Sequence, residues 1–269
     1  MPEAMNDGVA VHYEVAGSGT PVILLHGFPD TGACWRHQVP ALAAAGFQVL
    51  VPDLRGYGSS DQPEGVDAYN IVYLAGDVAS VLDHAGASRA HVVGHDWGAG
   101  VAWAFAMFAP ERVDHLCVLS VGHPATFLRT YEQREKSWYM LLFEHEGIAE
   151  QWLRDDDWAN LRAWGHHPDV DAVIAELERS GSLTPGLSYY RANVPASSWV
   201  GTRGQLPRVS APTMGLWSTG DFALTEVQMT DSAAAVDQFR YERVEDAGHW
   251  LQLDAPDRVN ELLVDFLAH

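Results

Sequence analysis

The chain has 269 residues, of which 47% are hydrophobic, and this suffices for one large domain or for a core domain with a small insertion. Its 36 acidic and 16 basic residues give a formal net charge of −20. A surface this acidic repels phosphate backbones and anionic membranes, so we expect no nucleic-acid partner and no membrane partner. The ordinary consequence of such a charge is solubility.

The cysteines and the N-terminal residues indicate the compartment. Cys34 and Cys117 lie far apart and show neither metal-ligand spacing nor a Cys-x-x-Cys pair, so we expect reduced thiols. Residues 1–8 are polar and do not resemble a signal peptide, and no apolar run is long enough to cross a bilayer. These features predict a cytoplasmic protein and are compatible with a homo-oligomer.

Short apolar runs alternate with helical patterns along most of the chain. Residues 9–15 alternate between apolar and polar and predict an edge strand. Continuous apolar runs predict buried strands over residues 21–25 and 47–52. The sequence also predicts strands over residues 90–93, 115–121, 213–217 and 240–244. Apolar residues at three- and four-residue spacing predict helices over residues 69–85, 98–109 and 257–267.

This alternation predicts an α/β fold with a mostly parallel sheet that is covered by helices on both faces. Ligands of such sheets bind at the carboxyl ends of the strands. Between residues 123 and 208 the strand pattern disappears, and helical periodicity with many aromatic residues predicts an inserted helical lid, or cap. We therefore predict a core domain of residues 1–122 and 209–269 and a cap domain of residues 123–208.

Two smaller features of the cap also carry predictions. The acidic residues 155–157 are most simply a solvated helix start. His166 and His167, which precede Pro168, have the pattern of exposed residues of the lid.

The sequence Gly94-His95-Asp96-Trp97-Gly98 follows a predicted strand and precedes a predicted helix. A nucleophile flanked by glycines at such a turn is the nucleophile elbow of hydrolases, in which the tight turn admits only small neighbours. Here Asp96 occupies the position of the nucleophile. Asp is also a common residue at the N-cap of an ordinary helix, so the elbow needs further support.

Three features supply that support, each at the end of a predicted strand. His249 follows the last strand and Asp221 follows the strand before it, so that nucleophile, acid and histidine occur in hydrolase order. Phe28 follows the second predicted strand, and its backbone N–H could form an oxyanion hole with the N–H of Trp97. The sequence therefore predicts a catalytic triad of Asp96, His249 and Asp221.

The carboxylate at the nucleophile position restricts the chemistry. An aspartate is ionised near neutral pH and can attack a saturated carbon directly, which gives an alkyl–enzyme ester. The histidine then activates a water molecule that hydrolyses this ester. Epoxides and alkyl halides fit this chemistry better than esters or amides.

The sequence resembles the α/β-hydrolase-fold epoxide hydrolases over essentially its whole length. The matching motifs cover residues 26–29, 53–60, 94–99 and 248–252, with the sequences His-Gly-Phe-Pro, Asp-Leu-Arg-Gly-Tyr-Gly-Ser-Ser, Gly-His-Asp-Trp-Gly-Ala and Gly-His-Trp-Leu-Gln. The resemblance implies hydrolysis of a small apolar epoxide to a diol. No metal and no organic cofactor is implied.

The resemblance also implies two tyrosines of the lid that protonate the epoxide oxygen. Tyr190, in the context Tyr-Tyr-Arg, and Tyr139, shortly before Phe143 and an acidic residue, match these positions. Both tyrosines could instead serve only to pack the lid. The residues that we predict to contact the substrate are His26, Pro29, Trp97, Trp138 and Phe143, although the lid aromatics could equally form the lid's own core.

Two alternatives stay open at this point. Haloalkane dehalogenases share the fold and also place Trp after the nucleophile, but many have Asn where this chain has Phe28. A non-catalytic ligand-binding protein of the same fold would be expected to have lost a catalytic residue, and none is evidently missing.

Overall fold

A single eight-stranded sheet forms the centre of the computed structural model, which describes residues 2–200 and 206–269. The strand order is β1-β2-β4-β3-β5-β6-β7-β8, and β2 pairs antiparallel with both β1 and β4, whereas all other pairs are parallel. The strands are β1 Glu3–Asn6, β2 Val9–Gly17, β3 Thr20–Leu25, β4 Phe47–Pro52, β5 Ala90–His95, β6 Val113–Leu119, β7 Thr213–Ser218 and β8 Phe239–Val244.

The edge of this sheet differs from the prediction. The strand predicted over residues 9–15 is β2, but it lies one position inside the edge, because residues 3–6 pair with it as β1. Asp7 and Gly8 join the two strands and both have positive φ, as a tight two-residue hairpin turn requires. The Asp-Gly pair is the signal in the sequence that could have predicted β1.

Helices pack on both faces of the sheet and close two hydrophobic clusters. Residues of β3 alternate between these clusters, with Ile23 and Leu25 in one and Val22 and Leu24 in the other. The helices are α1 Gln38–Ala44, α2 Ile71–His84, α3 Trp97–Phe108, α4 Tyr131–Lys136, α5 Trp138–Phe143, α6 Ile148–Gly165, α7 Val170–Ser180, α8 Leu183–Asn193, α9 Glu226–Thr230, α10 Leu251–Asp254 and α11 Pro256–Leu267. Helices α2 and α3 cover one face of the sheet, and α1 and α11 cover the other.

Helices α4 to α8 lie between β6 and β7 in the chain and contact the carboxyl-end side of the sheet. The Tyr189 hydroxyl of α8 donates a 2.7 Å hydrogen bond to the carbonyl of Arg55, and the Ile71 N–H donates to the Asn193 side chain at 2.7 Å. A buried ion pair between Arg191 and Glu150, with N–O distances of 2.9 and 3.1 Å, joins α8 to α6.

The structure corrects one prediction for this region and refines another. His166 is exposed as predicted, but His167 is buried because its ring hydrogen-bonds to Asp30 of the core. Residues 155–158 have non-helical backbone angles and interrupt α6, so the acidic residues precede the second part of this helix. Residues 201–205, within the predicted cap, lie outside the described residues.

Both cysteines, Cys34 and Cys117, are buried and free, in agreement with the prediction of reduced thiols. Across residues 2–200 and 206–269, the helices are all too short or too polar to span a bilayer.

Candidate active site

The turn between β5 and α3 places Asp96 at the carboxyl edge of the sheet. Asp96 has a φ of 51°, which a non-glycine residue adopts only under strain, and α3 begins at the next residue. A Cβ atom on Gly94 would lie 2.3 Å from the Gly98 carbonyl oxygen, and a Cβ atom on Gly98 would lie 2.0 Å from that of Leu25. The glycines are therefore required by the close approach of the backbones at this turn.

The Asp96 carboxylate is held by the backbone of the loop that follows β3. The Phe28 N–H donates a 2.8 Å hydrogen bond to Oδ1 of Asp96, in the position predicted for an oxyanion-hole donor. Trp97, the other predicted donor, is the first residue of α3 and directly follows Asp96. Oδ2 of Asp96 lies on the side of His249.

His249 is oriented by a buried hydrogen bond to Asp221. Nδ1 of the ring donates to Oδ2 of Asp221 at 3.0 Å, and Nε2 lies 3.6 Å from Oδ2 of Asp96. The other oxygen of Asp221 accepts hydrogen bonds from the backbone N–H groups of Ala223 and Leu224, both at 2.9 Å. The three predicted triad residues therefore meet in the order acid, histidine, nucleophile.

Charge interactions set the protonation of this triad. Burial favours the neutral form of His249, but the carboxylates of Asp221 and Asp96 outweigh it and raise the pKa of His249 to about 10. Burial likewise favours the neutral acid at Asp221, but His249 and two backbone N–H groups lower the pKa of Asp221 below its usual value. The free enzyme therefore holds a proton on His249, between two carboxylates.

Asp96 borders two cavities of very different size. The large cavity has a volume of about 230 Å³ and its wall is mostly apolar. The small cavity has a volume of about 20 Å³, which is room for about one water molecule. Residues that line the large cavity include Asp96, Trp97, Gly100, Phe127, Tyr139 and Tyr190, and those that line the small one include Pro29, Asp96, Tyr139, Tyr190, His249 and Trp250.

Tyr139 of α5 and Tyr190 of α8 border both cavities, as Asp96 does. Their ring centroids are 6.0 Å apart, and the Tyr190 ring also packs edge-on against Trp97. Burial, reinforced by the negative charge of Asp96, raises the pKa of Tyr139 and of Tyr190 well above the usual value for tyrosine. Both phenols therefore keep their protons at neutral pH and can donate them.

Three residues predicted to contact the substrate lie elsewhere. His26 is fully buried, with Nδ1 donating to the Gly27 carbonyl at 3.0 Å and Nε2 accepting from the Leu54 N–H at 2.9 Å, so it holds two loops together. Trp138 is 48% exposed and packs edge-on against Trp152. His26, Trp138 and Phe143 are all absent from the described residues that line the two cavities.

Phe143 lies behind the residues that form the cavity wall. Its ring centroid lies 5.1 Å from that of Tyr190 and 5.4 Å from that of Tyr139. Phe143 therefore packs against the two tyrosines that line the cavities. Of the residues predicted at the substrate, Pro29 and Trp97 border a cavity as expected.

Other residues that border the small cavity were not predicted from the sequence. Phe222, Trp250 and His167 surround His249 there, and the indole N–H of Trp250 donates to Asp30 at 2.8 Å. Trp250 lies within the motif of residues 248–252, and Asp30 directly follows the motif of residues 26–29, which is the signal that could have found them. No pattern in the sequence connects His167 to this site.

Comparison with known proteins agrees with this geometry. A family model described as the alpha/beta hydrolase fold matches residues 20–256. Epoxide hydrolase A of Mycobacterium tuberculosis is 36% identical over 97% of this chain and 95% of its own length, and epoxide hydrolase 1 of Caenorhabditis elegans is 32% identical over 96% and 68%. The crystal structure of a Bacillus megaterium epoxide hydrolase in complex with an inhibitor superposes over 100% of both chains, with a TM-score of 0.91 and 29% identity. The chain therefore belongs to the epoxide hydrolases of the α/β-hydrolase fold.

Proposed function

We propose that the chain hydrolyses apolar epoxides to vicinal diols through a covalent ester on Asp96. The observation that carries this proposal is the convergence of one carboxylate and two protonated phenols on the same cavities. Asp96 supplies the nucleophile, and Tyr139 and Tyr190 supply acids for the oxygen that leaves carbon as the ring opens. A halide leaving group would need no proton, so the paired tyrosines favour an epoxide over the haloalkane alternative.

In the first step, Oδ2 of Asp96 attacks one carbon of the epoxide. The bond between this carbon and the epoxide oxygen breaks, and the oxygen takes a proton from the Tyr139 or Tyr190 hydroxyl. The products are an alkyl ester on Asp96, a neighbouring alcohol and one tyrosinate. Oδ1, which accepts from the Phe28 N–H, becomes the carbonyl oxygen of this ester.

In the second step, a water molecule attacks the carbonyl carbon of the ester. His249 Nε2 accepts a proton from this water, and the Phe28 N–H stabilises the negative charge that develops on Oδ1. Esterification has by then removed the charge of Asp96, one of the two charges that hold the proton on His249, so the ring gives its proton to the tyrosinate and can act as a base. When the intermediate collapses, the departing alkoxide takes the second proton of the water, the diol is released and Asp96 is again a carboxylate.

The two cavities indicate where each reactant lies. The small cavity borders both His249 and Asp96 and has room for about one water molecule, which suits the hydrolytic water. The large, mostly apolar cavity suits the hydrocarbon part of the substrate. We therefore propose an epoxide with one sizeable apolar substituent as the substrate.

The position of the tyrosines also supports the predicted division of the chain. We propose residues 123–208 as the cap and residues 1–122 and 209–269 as the core, because the cap provides Tyr139 and Tyr190 whereas the core provides the triad. The two free thiols support a reducing compartment, and we propose the cytoplasm.

Two measurements test this function. Styrene oxide, longer terminal epoxides and 1-haloalkanes are offered to the enzyme, and diol and halide release are measured; halide release without diol formation would overturn the assignment. A single turnover in ¹⁸O-labelled water then tests the mechanism, because the water oxygen enters the Asp96 carboxylate before it reaches any diol. Label found first in the diol, with none in the Asp96 peptide, would exclude the ester.

A further inference from the structure

Asp30 is a buried carboxylate that the proposed mechanism does not use. It lies in the loop after β3 and is 6% exposed. Its Oδ2 accepts the indole N–H of Trp250 at 2.8 Å, and its Oδ1 lies 3.1 Å from Nε2 of His167. Both oxygens are therefore engaged by side chains from distant parts of the chain, one from the core and one from the cap.

The hydrogen bonds of His167 define which of its ring nitrogens carries the proton. The backbone N–H of Asp169 donates to Nδ1 at 2.9 Å, so Nδ1 is an acceptor. Nε2 therefore carries the hydrogen and donates it to Asp30. This neutral ring makes both of its hydrogen bonds, and it lies in the connection between α6 and α7 of the cap.

Ring contacts extend this pair to the catalytic histidine. The His167 ring packs edge-on against Trp250, with centroids 4.4 Å apart, and Trp250 packs perpendicular to His249 at 4.8 Å. Phe222 also stacks on Trp250, with ring centroids 6.3 Å apart. Trp250 is thus held at its N–H by Asp30 and contacted at its ring by His167, and it packs in turn against His249.

The same residues border the small cavity. His167, Trp250 and His249 line it together with Asp96, so His167 is one of the cap residues in the wall of this cavity. Burial favours the neutral acid at Asp30, but His167 and other nearby histidines lower the pKa of Asp30 below its usual value. A buried anion left without one of its donors is costly, so loss of His167 would favour rearrangement around Trp250.

From these contacts we infer that Asp30 and His167 are positioning residues for the second step of the reaction, in which they hold Trp250 and His249 around the water that attacks the ester. The inference rests on the proposed ester mechanism. Formation of the ester needs Asp96 and the tyrosines in place, whereas its hydrolysis needs a water molecule within reach of both His249 Nε2 and the ester carbon. A displacement on the order of 1 Å can reduce a rate about a hundredfold, so this step is the sensitive one.

The test separates the two steps in single-turnover experiments with styrene oxide. Rapid quenching and mass analysis of the Asp96 peptide give the rate constants of ester formation and of ester hydrolysis. His167→Leu removes both hydrogen bonds, and we expect hydrolysis to slow by about tenfold or more while formation changes by less than about twofold. His167→Gln offers an amide donor to Asp30 and an amide oxygen to the Asp169 N–H, and we expect it to restore most of the rate.

His145→Gln is the matched control, because this histidine also belongs to the cap but is exposed, and its two rate constants should equal those of the unaltered enzyme. Should His167→Leu fail to fold, His167→Phe keeps a ring against Trp250 without the hydrogen bonds. We expect it to slow ester hydrolysis in the same way and to leave ester formation nearly unchanged. Equal slowing of both steps, or equal rates for the Leu and Gln variants, would overturn the inference. Absence of any ester in the unaltered enzyme and in His249→Gln would instead refute the proposed function.

Discussion

Nε2 of His249 lies 3.6 Å from Oδ2 of Asp96, an ion-pair contact that is longer than a hydrogen bond. Oδ2 of Asp96 is therefore not held by a hydrogen bond to the imidazole, whereas Oδ1 is held by the Phe28 N–H. In the mechanism that we propose, Oδ2 attacks carbon and Oδ1 becomes the oxyanion, and this asymmetry suits one carboxylate to both steps.

Asp221→Asn is expected to block hydrolysis of the ester more than its formation. The amide can donate to Nδ1 of His249, which favours the tautomer that carries hydrogen on Nε2 and cannot accept a proton from water. We expect kcat to fall by about 10²–10⁴-fold and the ester on Asp96 to accumulate, as measured by mass analysis of quenched samples. Asp231→Asn, at an exposed acid, is the control. An equal loss in the rates of both steps would contradict this role.

The stability of the protein is expected to depend on pH through His249. The pKa of His249 is about 10 in the folded state and about 6.5 in an unfolded chain, so the folded state holds this proton more tightly. The resulting stabilisation is complete below about pH 6.5 and is lost as the pH rises towards 10. We expect the difference in Tm between the unaltered enzyme and His249→Gln to decrease steadily over this range, measured by thermal unfolding in a buffer series. A difference in Tm that does not change with pH would refute the raised pKa.

The tight turn at Asp96 was predictable because its surroundings impose local requirements. The turn at Asp96 admits only glycine at residues 94 and 98, and this requirement is visible in five consecutive residues. His249 and Asp221 were predictable because parallel strands bring their carboxyl ends to one edge of the sheet. For each of these three residues, a local pattern and the order of the strands were enough to predict its position in the fold.

The residues that were not predicted depend on contacts distant in sequence. His167 is buried by Asp30, which lies 137 residues away, and no periodicity of the cap indicates this contact. Trp138 and Tyr139 are neighbours in a six-residue helix, too short for a pattern that shows which of them faces the cavity. His26 belongs to a predicted motif, but both of its ring nitrogens form hydrogen bonds with the backbone, at Gly27 and Leu54, and the motif alone does not reveal these partners.

The two cap tyrosines are expected to share the acid role in opening the epoxide. Tyr139→Phe and Tyr190→Phe should each lower kcat/KM for styrene oxide by about 10–10²-fold, and the double variant should lose ring opening almost completely. The measurement is diol formation together with the rate of ester formation. Tyr189→Phe is the matched control, because its hydroxyl is bonded to the Arg55 carbonyl and its removal should cost stability, about 1 kcal/mol, without slowing ring opening. Near-normal turnover of the double variant would leave both tyrosines with packing roles.

Gly100→Leu is expected to exclude bulky epoxides selectively. Gly100 lies in α3 at the wall of the large cavity, and a Cβ atom there would meet only Trp97, at 3.7 Å. A side chain can therefore enter the cavity without backbone strain, and glycine is about 0.5–1 kcal/mol less favourable than a good helix former at such a position. We expect a Tm at least equal to that of the unaltered enzyme.

The diagnostic quantity is the ratio of kcat/KM for styrene oxide to that for propylene oxide. A leucine side chain takes up much of the space near Trp97, so the ratio should fall by about tenfold or more, because a group that no longer fits loses the burial of its apolar surface. The small cavity has a volume of only about 20 Å³ and cannot accept a phenyl ring in exchange. An unchanged ratio, with a folded variant, would mean that the apolar substituent does not lie in the large cavity.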